Sequence, residues 1–78
     1  MAACSSSMNL DDQAFLFQLG SRIREIREKK GLTQAELAEK CQLHRTFIGS
    51  VERGERNLSI LNLRIIARNL RVSLSNLF

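Results

Sequence analysis

From His44 to Asn57 the chain reads His-Arg-Thr-Phe-Ile-Gly-Ser-Val-Glu-Arg-Gly-Glu-Arg-Asn, and the chemistry on offer is hydrogen bonding to another molecule's acceptors. With Phe47, Ile48 and Val51 as the apolar positions of a short helix ended by Gly54, the residues Arg45, Thr46, Gly49, Ser50 and Arg53 fall on its other faces. A face that small, polar and basic fits the major groove of DNA, about 12 Å wide, where bulky side chains would hold the backbone away. Arg45, near the helix start, has the planar fork that meets guanine O6 and N7 with two hydrogen bonds. On type and spacing alone, Arg45 and Ser50 fit equally well as side chains that simply face water.

Charge is compatible with both a nucleic-acid partner and a merely solvated basic surface, and its location along the chain says more than its size. The 78 residues carry a formal net charge of +4, corresponding to a pI of about 9.8. Residues 1–43 hold six Lys/Arg against six Asp/Glu, and residues 44–78 hold six Arg against two Glu, so the whole excess lies after Leu43. Every cation in that second part is arginine, the side chain suited to phosphates and guanine edges.

Other function classes find little support. There is no glycine-rich phosphate loop, no pair of carboxylates in an apolar setting and one histidine, which argues against an enzyme. Cys41 and His44 form a conceivable nucleophile–base pair, but that spacing across a tight helical turn is met more simply by core packing. With Cys4 and Cys41 alone, neither a disulfide framework nor a metal site is expected, and no cofactor is implied. No apolar run reaches the length of a membrane span, and the N-terminus lacks the basic-then-apolar order of a secretory signal. The expectation is a cytoplasmic protein with no membrane association.

The elements that must position the basic face follow from local signals. Residues 1–10 are expected to form a flexible tail and residues 11–78 a single all-α, compact five-helix domain. Asp11 and Asp12 suit a helix N-terminus, and Phe15, Leu16, Leu19, Ile23 and Ile26 then recur at three- and four-residue intervals until Lys29, Lys30 and Gly31 close the helix. Thr33 and Glu36 form a T-x-x-E capping box, with Leu32 and Leu37 as its hydrophobic staple, starting a second helix over about Gln34 to Lys40. Four residues, Cys41 to His44, separate it from the helix that carries the basic face. Ser59 caps a fourth helix with the stripe Leu63, Ile66, Ala67 and Leu70, and Leu61 and Ile65 form a second apolar edge. Ser73 is expected to cap a short fifth helix, Leu74 to Phe78.

The run from Gln34-Ala-Glu-Leu-Ala through Val51-Glu-Arg-Gly54 resembles the phage-repressor and Cro-like helix-turn-helix family, over about Leu19 to Phe78. Gln34 stands where that family starts its first motif helix, Ala38 where it needs a small residue, and Ile48 and Val51 where it packs the recognition helix. The segment His44 to Asn57 is similar, more narrowly, to the controller proteins of bacterial restriction–modification systems. These are small dimers that bind palindromic operators and first activate, then repress, the promoter of their own gene and the endonuclease gene. Phage or host repressors and helix-turn-helix antitoxins, the latter with a toxin partner, carry closely similar segments.

The resemblance implies roles by position. Helices two and three form the helix-turn-helix, with Arg45, Thr46 and Ser50 reading bases and Gln34, Arg53 and Arg56 contacting phosphates. His44 touches a base or a phosphate, or only caps the helix; Phe47 lies near the DNA backbone or packs on the core. Arg27 and Glu52 match a pair that in some phage repressors forms a partly buried salt bridge. Gln42 departs from the family, which often has glycine in the turn, and costs roughly 1 kcal/mol if the backbone there has a positive φ.

The implied partners are double-stranded DNA with a palindromic operator, a second copy of the chain, and, for members that activate, the RNA polymerase sigma subunit. Leu61, Ile65, Leu74, Leu77 and Phe78 are the surplus apolar residues for a dimer interface, although Leu74 and Leu77 also suit the monomer core. Glu36 and Glu39, on the outer face of the second helix, are the candidates for touching the polymerase.

Overall fold

The computed structural model describes residues 10–77, in which helices α1 (Leu10–Lys29), α2 (Gln34–Cys41), α3 (Arg45–Glu52) and α4 (Ile60–Leu70) are followed by a 3-10 turn, Leu74–Leu77. The expected five helices are therefore four and a 3-10 turn, and no strand occurs among the described residues. The final segment is too short for the i→i−4 ladder of an α-helix; Asn76 N–H donates instead to the Ser73 carbonyl at 3.0 Å, an i→i−3 bond. Arg22 Nε donates to the Asn76 carbonyl at 2.9 Å and ties the turn to α1. The expected tail lies outside the described residues except Leu10, which already belongs to α1. Phe78 lies outside them too.

The capping box forms as the sequence predicts. Glu36 N–H donates to Thr33 Oγ1 at 3.0 Å, and Thr33 N–H donates to Glu36 Oε1 at 2.8 Å. Ser59 caps α4 through a 3.1 Å bond from Asn62 N–H.

All four helices end alike, in paired bonds that close a left-handed turn. The closing bonds run from Leu32 N–H to Arg27, Leu43 to Ala38, Glu55 to Ser50 and Val72 to Ala67, each 2.9–3.1 Å. Glycine holds the left-handed position after α1 and α3, at Gly31 and Gly54. After α2 and α4 the position falls to Gln42 (φ 58°) and Arg71 (φ 62°), so the positive φ considered for Gln42 is present and has a second instance.

The core joins Leu19, Ile23 and Ile26 of α1, Leu37, Ala38 and Cys41 of α2, Ile48 and Val51 of α3, the Leu63–Ile66–Ala67–Leu70 stripe of α4, and Leu77. Phe15 departs from its expected place in the α1 stripe: it is 51% exposed, whereas Leu16 beside it is buried. Gly20 sets how α1 meets α3, because a methyl there would run into the carbonyl oxygens of Val51 and Glu52. Gly54 needs glycine twice over, for its φ of 74° and because a Cβ would lie 2.7 Å from Phe17 Cα. α1 thereby clamps the C-terminal end of α3. Among the described residues, no helix is long and apolar enough to cross a membrane.

Candidate nucleic-acid interface

α2 and α3 pack through Leu37, Ala38, Ile48 and Val51, which leaves the N-terminal end of α3 free to project. Arg45 and Thr46 are exposed there. Arg45 shares a shallow groove with Thr33, Gln34 and Ala35, so the N-terminal ends of α2 and α3 open on one side of the molecule. His44 is the residue before α3; its side chain makes no capping bond, and its imidazole is exposed. Of the roles open to His44, the side-chain cap is absent.

Beyond these residues the surface is ordered by contacts within the chain. Phe47 is half-buried against the core, and the Arg56 guanidinium lies 5.1 Å from its ring centroid. Such a pair holds the arginine against the ring. Thr46, Phe47, His44 and Arg56 line a second shallow groove. Arg53 is exposed and paired with Glu55 at 3.1 Å.

Ser50 is placed differently from the sequence expectation. It is 8% exposed, and its hydroxyl donates to the Phe47 carbonyl at 2.9 Å, so it is not presented beside Arg45 and Thr46. A serine inside a helix commonly satisfies its hydroxyl on the preceding turn, and this one does. Gly49 is buried beneath Gln34 and Arg53: a Cβ on it would lie 3.5 Å from Gln34 Oε1 and 3.3 Å from Arg53 Nη1.

Behind the face, Arg27 and Glu52 form the ion pair that the resemblance implies. Arg27 Nε donates to Glu52 Oε2 at 2.6 Å and Nη2 to Oε1 at 3.1 Å, with the side chains 9% and 2% exposed. Arg27 Nη1 also donates to the Leu32 carbonyl at 2.6 Å. The hydrogen bond to Glu52 raises the Arg27 pKa above its ordinary value against the opposing pull of burial. Gln34 Nε2 donates to Glu52 Oε1 at 3.0 Å, a contact between residues 18 apart that no local pattern signals. No buried side-chain polar atom among the described residues lacks a partner.

The other expected site residues lie on different surfaces. Leu61 is 60% exposed at the start of α4 and Ile60, unnoticed in the sequence, 71%. Ile65 and Leu74 are half-buried against the core. Leu77, counted among the interface residues, is 1% exposed and closes the chain's own core instead. Glu36 and Glu39 are exposed on α2, and the Glu36 carboxylate is engaged in the capping box. Burial raises the pKa of the Cys41 thiol, the reverse of what a nucleophile needs.

Comparison with known proteins bears on this arrangement. The helix-turn-helix family model matches residues 23–77. The control protein C.SmaI of Serratia marcescens is 46% identical over 59 residues, covering 76% of this chain and 70% of that protein. The control protein C.BamHI of Bacillus amyloliquefaciens is 44% identical over 54 residues, 68% of this chain and 67% of that one. The crystal structure of the restriction-modification controller protein C.AhdI from Aeromonas hydrophila superposes with a TM-score of 0.82 at 43% identity, covering 83% of this chain and 98% of that chain.

Proposed function

The chain belongs to the helix-turn-helix family, and on that footing we propose that it is a sequence-specific DNA-binding transcription regulator of the restriction–modification controller type. The observation that carries the reading is the joint exposure of Arg45 and Thr46 at the N-terminal end of α3, beside Gln34 at the start of α2. In this account α3 enters the major groove, Arg45 and Thr46 meet base edges, and Ser50 acts only by keeping the helix surface low. Gln34 and the free N–H groups opening α2 approach a phosphate, and Arg53, Arg56 and His44 follow the backbone on either side, with the Phe47 ring supporting Arg56.

A palindromic operator requires two copies of α3 related by a two-fold axis, with half-sites about 34 Å apart. The exposed Ile60 and Leu61, with Ile65 and Leu74 behind them, are the apolar residues we assign to that homodimer. Where the protein activates, Glu39 is the free acidic group on α2 for a polymerase sigma subunit. The site of action is the bacterial cytoplasm, on DNA.

Selection from a pool of random duplexes with the purified protein tests the reading. Enrichment of a palindrome is the expected result; a pool left unenriched, or enriched without two-fold symmetry, contradicts a dimeric base reader.

A further inference from the structure

The Arg27–Glu52 pair stops short of no surface: its third partner, Gln34, is a residue of the candidate interface. The Glu52 side chain is 2% exposed, and its two oxygens take three donors, Arg27 Nε and Nη2 and Gln34 Nε2. A carboxylate can only accept hydrogen bonds, so Gln34 must turn its nitrogen, and not its oxygen, toward Glu52. The two-pronged contact from Arg27, itself anchored on the Leu32 carbonyl, leaves Glu52 no freedom to follow the amide if it flips. The Gln34 carbonyl oxygen then lies over Gly49, and the half-buried side chain lines the groove that Arg45 also lines.

We propose that Glu52 is a positioning residue for DNA binding: by taking one amide N–H of Gln34 it fixes which way that amide faces, so that Gln34 meets DNA with its donor and acceptor already set. The proposal rests on the reading of α2 and α3 as the DNA-binding face. A long side chain ordered before the complex forms loses less entropy on binding. An amide of fixed direction also distinguishes donor from acceptor on its target, which a freely flipping one does not. Arg27 contributes by holding the carboxylate in place, and the buried ion pair thereby reaches the recognition surface through a single hydrogen bond.

The test is a double-mutant cycle on affinity for the operator selected by the wild type, with Gln34→Ala, Glu52→Gln and the double variant. Binding is measured well below each variant's melting temperature, with folding followed by circular dichroism. Each single substitution is expected to weaken binding about tenfold, and the double variant no more than the weaker single, because both remove the same oriented amide. Glu52→Gln binding like the wild type while melting lower, or losses that add, would overturn the positioning role.

If Glu52→Gln does not fold, side-chain amide relaxation of Gln34 in the free wild type decides. An amide order parameter above the flexible limit of about 0.6, toward the rigid-backbone value of about 0.85, supports the role, and one below about 0.6 overturns it. An unenriched selection overturns the DNA-binding reading and this role together, whereas additive losses in the cycle overturn the role alone.

Discussion

At the scale of single residues, Gln42 and Arg71 hold backbone conformations that glycine adopts without cost. Each sits in the left-handed position that closes its helix, at φ 58° and 62°, where an L side chain crowds the following carbonyl. For Gln42 the crowding is worth about 1–2 kcal/mol, offset in part by the greater chain entropy that glycine loses on folding. Gln42→Gly is therefore expected to stabilise the protein by up to about 1 kcal/mol, a rise of roughly 4–8 °C in melting temperature for a domain of this size. An unchanged or lower melting point would mean that the turn relaxes around the glutamine. Gln42 was legible in the sequence because it stands where relatives have glycine. Arg71 was not, because nothing local separates a left-handed arginine from one that continues a helix. Ser50 shows the opposite limit: its size and polarity suit a reading face, and only the folded chain reveals that its hydroxyl is spent on the Phe47 carbonyl.

At the scale of elements, what is local in sequence was legible and what depends on a crossing was not. The capping box of α2 needs only Thr33 and Glu36 three residues apart, and both of its bonds form. The α4 stripe and the α3 apolar positions follow from a 3.6-residue period and are buried as a set. Phe15 obeys the same period yet is half exposed, because a stripe says which side of a helix is apolar but not how far the partner elements extend beside it. Gly20 is an interior helix residue whose role appears only where α1 meets the carbonyls ending α3. In an exposed helix, glycine to alanine gains about 0.5–1 kcal/mol. Here Gly20→Ala should instead cost about 1–3 kcal/mol as α1 is pushed away from α3. A chemical denaturation series on this variant that shows stabilisation would place the α1–α3 contact elsewhere.

At the scale of the whole molecule, the chain presents two surfaces of different character. Thr33 and Gln34 at the N-terminal end of α2 meet Arg45 and Thr46 at that of α3, and large apolar side chains stay exposed at the start of α4. The small, polar and basic residues at the start of α3 made the first of these legible from type and spacing. The second was half legible: Leu61 was singled out by its surplus, while Ile60 was missed and Leu77 proved to be core. Exposed isoleucine and leucine side by side are costly in water, and burying them against a second copy removes that cost. Leu61→Glu should accordingly convert a micromolar dimer to monomer in sedimentation equilibrium without lowering helix content. A variant that remains a tight dimer would move the two-fold axis away from α4.

If α3 reads bases and Arg45 is the side chain doing so, binding-site selection repeated with Arg45→Ala must show it. Preference is expected to relax at one symmetric pair of positions in the palindrome, with a loss of roughly 1–3 kcal/mol on the selected site and little on the others. A variant that binds every sequence more weakly by the same factor, with a shallower dependence on salt, would make Arg45 a phosphate contact and contradict the claim.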